Sequence, residues 1–206
     1  MSAPTGCPEI AAPLPDVETR RLILRRFQQA DLDALAAVFE KPEMWRFPYG
    51  RGFTRAETAM FLEAQIAEWD ACRLGCWIAA EKATDKVVGY VGLSVPHFLP
   101  EVLPAVEVGW RFDPDVWGRG LATEGAAAAL HEAFETLKLA RVCSAPQTIN
   151  PPSSRVCKRL GMVLERTVTL APTARREAVD VDLYWITVQA WAARQIERGN
   201  TLARQP

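Results

Sequence analysis

The sequence predicts a three-layer α/β fold of mixed α+β type, with helices on both faces of a sheet that holds parallel and antiparallel pairs. Three observations predict it. Helical runs come first, near residues 31–39 and 54–69. Two strand-like runs, 76–80 and 87–93, then flank the polar turn Thr84-Asp85-Lys86 as a hairpin. A strand, a glycine turn and a helix follow over 106–137, the start of a βαβ crossover. At 206 residues, 49% hydrophobic and 24% charged, the chain supports one domain with a substantial core.

Residues 1–17, with Pro4, Pro8, Pro13 and Pro15 among small residues, read as a Pro-rich N-terminal tail or a surface arm. Leu22-Ile23-Leu24 is the first strand. Asp31 is placed to cap a helix whose apolar residues Leu32, Leu35, Ala36, Val38 and Phe39 recur at helical spacing. Pro42, Pro48, Gly50 and Gly52 interrupt that pattern. Thr54 then caps a second helix, with Glu57 at the capping-box position and Phe61, Leu62, Ile66 and Trp69 as its stripe. A loop from Pro96 to Pro104 precedes the strand Val106 to Phe112, and the helix Leu121 to Leu137 follows the glycine turn. A short strand (Arg141 to Ala145), a helix (Pro151 to Leu160) stopped by Gly161, and a strand from Met162 come next. Val179 to Val188 is the last strand and Trp191 to Arg198 a terminal helix. The chain divides into the tail 1–17, a domain 18–190 and a C-terminal helix and tail 191–206.

Lys and Arg number 24 against 25 Asp and Glu, a net charge of −1, so nothing points to nucleic acid or an anionic membrane surface. No run approaches the ~18 apolar residues of a membrane span. Five cysteines (Cys7, Cys72, Cys76, Cys143, Cys157) without a C-x-x-C pair, and two histidines, His97 and His131, give no metal-ligand spacing. They read as reduced, mostly buried thiols. With no Lys or Arg before Arg20 and no apolar segment to make a signal peptide, the chain is expected to be cytoplasmic.

Trp117-Gly118-Arg119-Gly120-Leu121-Ala122 is the most telling run. Glycine lets a backbone approach a phosphate closely, and the unpaired N–H groups of the first helical turn point at it. The nucleotide-triphosphate loop G-x-x-x-x-G-K-[ST] is absent. The dinucleotide fingerprint fails at its third glycine, where Thr123 stands, and lacks a carboxylate after the next strand, which ends Cys143-Ser144-Ala145. The same segment resembles motif A of the GNAT (GCN5-related N-acetyltransferase) superfamily, Q/R-x-x-G-x-G/A, with Trp117, Gly120 and Ala122 at its positions. Glu107-Val108-Gly109-Trp110 followed by Trp117-Gly118-Arg119-Gly120-Leu121-Ala122-Thr123-Glu124 is similar to the RimJ/RimL-like ribosomal-protein N-acetyltransferase branch. Asn150-Pro151-Pro152-Ser153-Ser154-Arg155-Val156 with Lys158-Arg159-Leu160-Gly161-Met162, and the opening Glu18-Thr19-Arg20-Arg21-Leu22-Ile23-Leu24-Arg25, extend the resemblance over about 18–188.

The resemblance implies a mostly antiparallel sheet with one splayed parallel pair, acetyl-coenzyme A as co-substrate, and no metal. It implies N-acetyl transfer to an amine acceptor, a protein N-terminus or a small molecule, by direct attack on the thioester. A longer acyl donor, an antibiotic, polyamine or amino-acid acceptor, and a non-catalytic acyl-coenzyme A-binding module are the alternatives, and a homodimer is open. The cofactor residues implied are Trp110, Phe112, Trp117, Gly118, Arg119, Gly120, Leu121, Ala122, Thr123, Asn150, Ser153 and Arg155. Backbone amides of the turn take the pyrophosphate, Asn150 the pantetheine arm, and Ser153 lies near the sulfur. Arg119 either reaches a phosphate or lies in solvent, and the basic Arg155, Lys158 and Arg159 suit either the 3′-phosphate or a solvated face.

Glu107 is the general-base candidate. Ala105, Glu107, Gly109 and Arg111 share one strand face, so a carboxylate stands beside a residue without a side chain. An ammonium must lose a proton before it attacks a thioester; the other reading is a solvated strand carboxylate or an ion-pair partner. Many superfamily members place a tyrosine acid four residues after the Ser153 position. Here that residue is Cys157, so Ser153, or a water it orients, is the candidate acid, and direct transfer is expected over a Cys157 acyl-enzyme. Trp45-Arg46-Phe47-Pro48-Tyr49 and the Pro96–Pro104 loop, with His97 and Phe98, are where the acceptor pocket is expected; each aromatic also suits core anchoring.

Overall fold

A computed structural model describes Cys7, Ile10 and residues 13–47, 49–173 and 176–202, with side chains to residue 197. Pro4, Pro8, Pro48 and residues 203–206, on which some of the expectations above fall, lie outside the described residues.

Eight strands form one sheet: β1 (Val17–Glu18), β2 (Leu22–Arg25), β3 (Cys76–Glu81), β4 (Lys86–Ser94), β5 (Glu107–Phe112), β6 (Arg141–Ser144), β7 (Val163–Leu170) and β8 (Val179–Thr187). Their order is β1-β2-β3-β4-β5-β6-β8-β7. The helices are α1 (Leu32–Phe39), α2 (Arg55–Cys72), α3 (Leu121–His131), α4 (Pro151–Leu160) and α5 (Val188–Leu202). The mixed sheet follows from connection lengths. The tight turn after β3 can only return β4 antiparallel, whereas α3 carries the chain back so that β6 runs parallel to β5. That parallel pair has a single register position, Glu107↔Cys143, while β4 stays paired with β5 as far as Phe112. Beyond Glu107, therefore, β5 presents an open backbone edge toward β6.

Local sequence explains the helix ends. Thr54 Oγ1 accepts the Glu57 N–H at 3.2 Å and the Glu57 carboxylate accepts the Thr54 N–H at 2.9 Å, the reciprocal box expected for α2. Asn150 starts α4, and Gly161, at φ +86°, stops it in the left-handed conformation. Asp31 departs from expectation: its carboxylate does not cap α1 but binds the Arg25 guanidinium at 2.6 and 2.9 Å and the Gln28 N–H at 2.8 Å. A bidentate bond to a cationic guanidinium outcompetes a single bond to a backbone N–H. After His131, residues Glu132–Thr136 continue the helix with wider π-type bonding, so the run to Leu137 is helical but not uniformly α.

The stretch read as a tail is partly structural. Val17–Glu18 pairs with β2, Leu14 is buried, and Pro15 O accepts the Trp77 indole N–H at 3.0 Å. This arm also corrects the expectation of five reduced thiols. Cys76, Cys143 and Cys157 are free and buried, but Cys7 and Cys72 form a disulfide across 65 residues of sequence. The Leu14 N–H to Arg73 O bond folds the arm back onto the end of α2, which spacing along the chain does not reveal.

The core lies on both sides of the sheet. Leu35, Val38, Phe39 and Leu62 from α1 and α2 cluster with Cys76 and Ile78. Leu121, Ala126, Ala129 and Leu130 from α3, with Val156, Cys157 and Leu160 from α4, cluster with Trp77, Ala79, Val91 and Val108. Cys76 and Ile78 alternate with Trp77 and Ala79 along β3, so the two clusters occupy opposite faces. A third cluster, including Leu99, Ala105, Cys143 and Leu183, sits under the loop that follows β4.

Candidate functional site

Gly118 (φ +75°) and Gly120 (φ +79°) both adopt the left-handed conformation, which lets the chain turn sharply from β5 into α3. A Cβ at Gly118 would meet nothing within 4 Å, so its requirement is conformational and the space outside the turn is open. The Glu124 N–H makes the first bond inside α3, to Gly120 O at 3.1 Å, which leaves the amides of Leu121, Ala122 and Thr123 without intrahelical acceptors. The geometry is that of an anion cradle. Leu121 is buried; the Thr123 hydroxyl is buried without a partner. Trp117 is 54% exposed, its indole N–H donating to Phe112 O at 2.6 Å to close the preceding loop. Lys41 binds Asp113 and Asp115, each at 2.7 Å, and steadies the same loop. Arg119 is not free: its guanidinium pairs with Glu81 at the end of β3.

Strand β5 sorts its side chains as alternation requires. Val108 and Phe112 are buried under α3, with Trp110 packed against them, so a contact from Phe112 to a bound molecule is confined to its backbone. The opposite face carries Glu107, Gly109 and Arg111. A Cβ at Gly109 would meet nothing within 4 Å, so space opens beside the Glu107 carboxylate. Glu107 accepts the Ala145 N–H at 3.2 Å, across the wedge where β5 and β6 part. Burial pushes its pKa up to about 7, that N–H opposes the rise, and the Glu68 carboxylate adds to it. Glu68, from α2, accepts the Val95 N–H at 3.3 Å, one residue past Ser94, the partner of Glu107 in the β4–β5 register. No ion pair among the described residues includes Glu107. A carboxylate that titrates near neutrality is suited to taking a proton.

At the start of α4, Asn150 Oδ1 accepts the Ser153 N–H at 3.4 Å. Arg155 is exposed, and no ion pair among the described residues includes it. Cys157, one turn after Ser153, is fully buried, and burial raises its thiol to about 12. A thiol so held is a poor nucleophile at neutral pH.

Of the two loops expected to face an acceptor, the first is anchored in the core. Trp45 stacks on Phe53 at 3.7 Å between centroids and meets Phe39 edge-on. Arg111 lies over Trp45 at 4.3 Å and donates to Met44 O (2.6 Å) and Phe47 O (2.9 Å), tying this loop to β5. Tyr49 and Phe98 remain exposed, at 39% and 46%. A cavity of about 330 Å³ lined by Thr19, His131 and Trp191 and one of about 250 Å³ lined by Glu101, Arg141 and Trp185 lie elsewhere; Glu107, Gly109 and residues 117–123 line neither. Among the described residues, no cluster of His, Cys, Asp and Glu could hold a metal ion, and no helix is long and apolar enough to cross a membrane.

Sequence reasoning assigned no role to Glu68, Glu81, Arg21 or Arg111. Arg21 and its partner Glu124 each lie inside a motif of the resemblance, which is the signal the sequence carries for them. Arg21 Nε donates to Glu124 Oε2 and Arg21 Nη1 to Arg119 O, both at 2.7 Å.

Comparison with known proteins is consistent with this architecture. The profile of the acetyltransferase (GNAT) domain matches residues 21–163. The chain is 27% identical over 152 residues to an uncharacterized N-acetyltransferase, YoaA, of Bacillus subtilis, covering 73% of this chain and 84% of that protein. A GNAT-family acetyltransferase structure from Bacillus anthracis superposes with a TM-score of 0.71 at 22% identity, covering 85% of this chain and 99% of that one. The ribosomal-protein-S5-alanine acetyltransferase of Vibrio fischeri gives 0.68 at 19% identity, covering 86% and 99%. At such identities the superpositions speak to the fold alone.

Proposed function

The chain belongs to the GNAT acetyltransferase family and is an acetyltransferase, and from that premise we propose that it moves an acetyl group from acetyl-coenzyme A directly to an amine, with Glu107 as base. One observation carries this reading: β5 bears Glu107 at its first residue and leads, through the short helical turn Pro114–Val116, to the glycine turn before α3. Five residue steps at ~3.3 Å put Glu107 roughly 17 Å from the strand's end. An extended pantetheine arm with its pyrophosphate in the turn runs back along this strand and brings its thioester toward Glu107.

Gly118 to Thr123 supply backbone N–H groups to the pyrophosphate. The open edge of β5 beyond Glu107 offers backbone donors and acceptors to the amides of the arm, and Asn150 and Ser153 close its sulfur end. The bound co-substrate supplies a thioester carbonyl. Glu107 takes one proton from the ammonium of the acceptor; the amine nitrogen bonds to the carbonyl carbon and the carbon–sulfur bond breaks. The nitrogen sheds its second proton as the amide forms, and Ser153 or a water beside it relays that proton to the departing thiolate. Cys157 plays no covalent part, because it is buried and its thiol holds its proton.

The acceptor class is a protein N-terminus or a small amine. The ribosomal-protein acetyltransferases among proteins of like fold support the RimJ/RimL-like branch, as do the tryptophan at 117 and the Thr19–Arg25 opening. Thiol release from acetyl-coenzyme A, followed over ribosomal-protein N-terminal peptides, polyamines and amino acids, tests this. Turnover confined to peptides supports the branch; turnover confined to small amines removes it.

A further inference from the structure

The opening run Thr19-Arg20-Arg21 and the Thr123-Glu124 pair stand 103 residues apart for Arg21 and Glu124, yet they meet behind the glycine turn. Glu124 Oε1 accepts the Thr19 hydroxyl and the Arg21 backbone N–H, each at 2.7 Å, and its Oε2 accepts Arg21 Nε at 2.7 Å. The same guanidinium donates through Nη1 to Arg119 O at 2.7 Å, and its Nη2 lies 3.6 Å from where a Cβ of Gly120 would stand. On the other flank, the Arg119 side chain pairs with Glu81, whose own side chain is only 10% exposed.

These contacts bear on how the turn works. In a trans peptide the C=O and the following N–H point in opposite directions. Fixing Arg119 O against Arg21 therefore fixes the Gly120 N–H away from Arg21, toward the open side of the turn. Glycine at 118 and 120 permits the left-handed conformation but does not select it, since glycine populates many others. Something outside the turn must hold that peptide plane. We infer that Arg21 is a positioning residue for the anion cradle: gripped by Glu124 and Thr19, it orients the 119–120 peptide so that the turn is preformed before the co-substrate arrives. The inference rests on the assignment of residues 118–122 to coenzyme A.

Coenzyme A is titrated calorimetrically into the full-length protein and into R21M, R21K, E124Q and G120V, with thermal midpoints and acetyl-transfer kinetics in parallel. R21M is expected to weaken coenzyme A binding about tenfold, the loss of a charge-assisted bond. KM for acetyl-coenzyme A rises by a similar factor, while kcat at saturating donor and KM for the acceptor stay at the parent values. R21K, which keeps one donor but not the fork, recovers part of the loss. If R21M does not fold, E124Q answers the same question, since it keeps the acceptors for Thr19 and removes the ion pair. A folded R21M or E124Q with parent affinity overturns the positioning role, and so does a lowered thermal midpoint with KM unmoved. A G120V variant that binds coenzyme A as the parent does overturns instead the assignment of the turn.

Discussion

Replacing Glu107 with Gln removes a charge and keeps an amide oxygen where the carboxylate accepts the Ala145 N–H. Its consequences for stability and for rate have opposite signs. Burial first, and Glu68 in addition, lift the Glu107 pKa from 4.5 to about 7 against the pull of that N–H. A tenfold change in proton affinity is worth about 1.4 kcal/mol, so ionising Glu107 in the folded protein costs at most about 3.5 kcal/mol, and solvent at its exposed edge brings this to on the order of 1–2. Between pH 4.5 and about 7 the folded chain holds this proton more tightly than the unfolded chain. The Glu107 contribution to stability is thus present at low pH and falls as pH rises through that window. Urea unfolding should therefore find E107Q close to the parent at pH 5 and more stable at pH 8 by about 1–2 kcal/mol. Transfer should move the other way. The parent kcat/KM rises with pH through about 7 and then levels, while E107Q loses about 10²–10⁴-fold and that inflection. Unchanged turnover with the inflection retained refutes the base role, and E107Q no more stable than the parent at pH 8 refutes the buried-charge argument.

Three further outcomes follow from the same geometry. C157A keeps the parent kcat within about twofold, and intact mass after incubation with acetyl-coenzyme A alone shows no added acetyl group, because a buried thiol held near 12 does not attack. R111M frees the Met44 and Phe47 carbonyls and uncovers Trp45; KM for the acceptor rises several-fold, on the order of one charge-assisted bond, while coenzyme A affinity by calorimetry is unchanged. S153A lowers kcat about 10²-fold or more, within the range for proton transfer, with coenzyme A affinity kept within a factor of about two.

Much of this architecture is legible along the chain because its causes are local. The Thr54–Glu57 box, the Asn150 start and Gly161 stop of α4, and the alternation that puts Glu107 and Gly109 on one face all depend on residues a few positions apart. The rest depends on residues brought together only by the fold. Asp31 has the position of a helix cap, but Arg25 across the turn claims it. Arg119 reads as open to a phosphate until β3 brings Glu81 beside it. Cys7 and Cys72 look like unrelated thiols in an odd set until the arm folds back. The nearness of Glu68 to Glu107 needs α2 laid across the end of β4, which periodicity does not encode.

The central claim, that the turn before α3 binds coenzyme A and directs its thioester to Glu107, is tested most directly by backbone amide NMR during titration with coenzyme A. The account predicts the largest shifts at Gly118 to Thr123, with further shifts at Gly109, Trp110 and Ser153. Shifts confined to the cavity lined by Thr19, His131 and Trp191, with the Gly118–Thr123 amides unmoved, would contradict it.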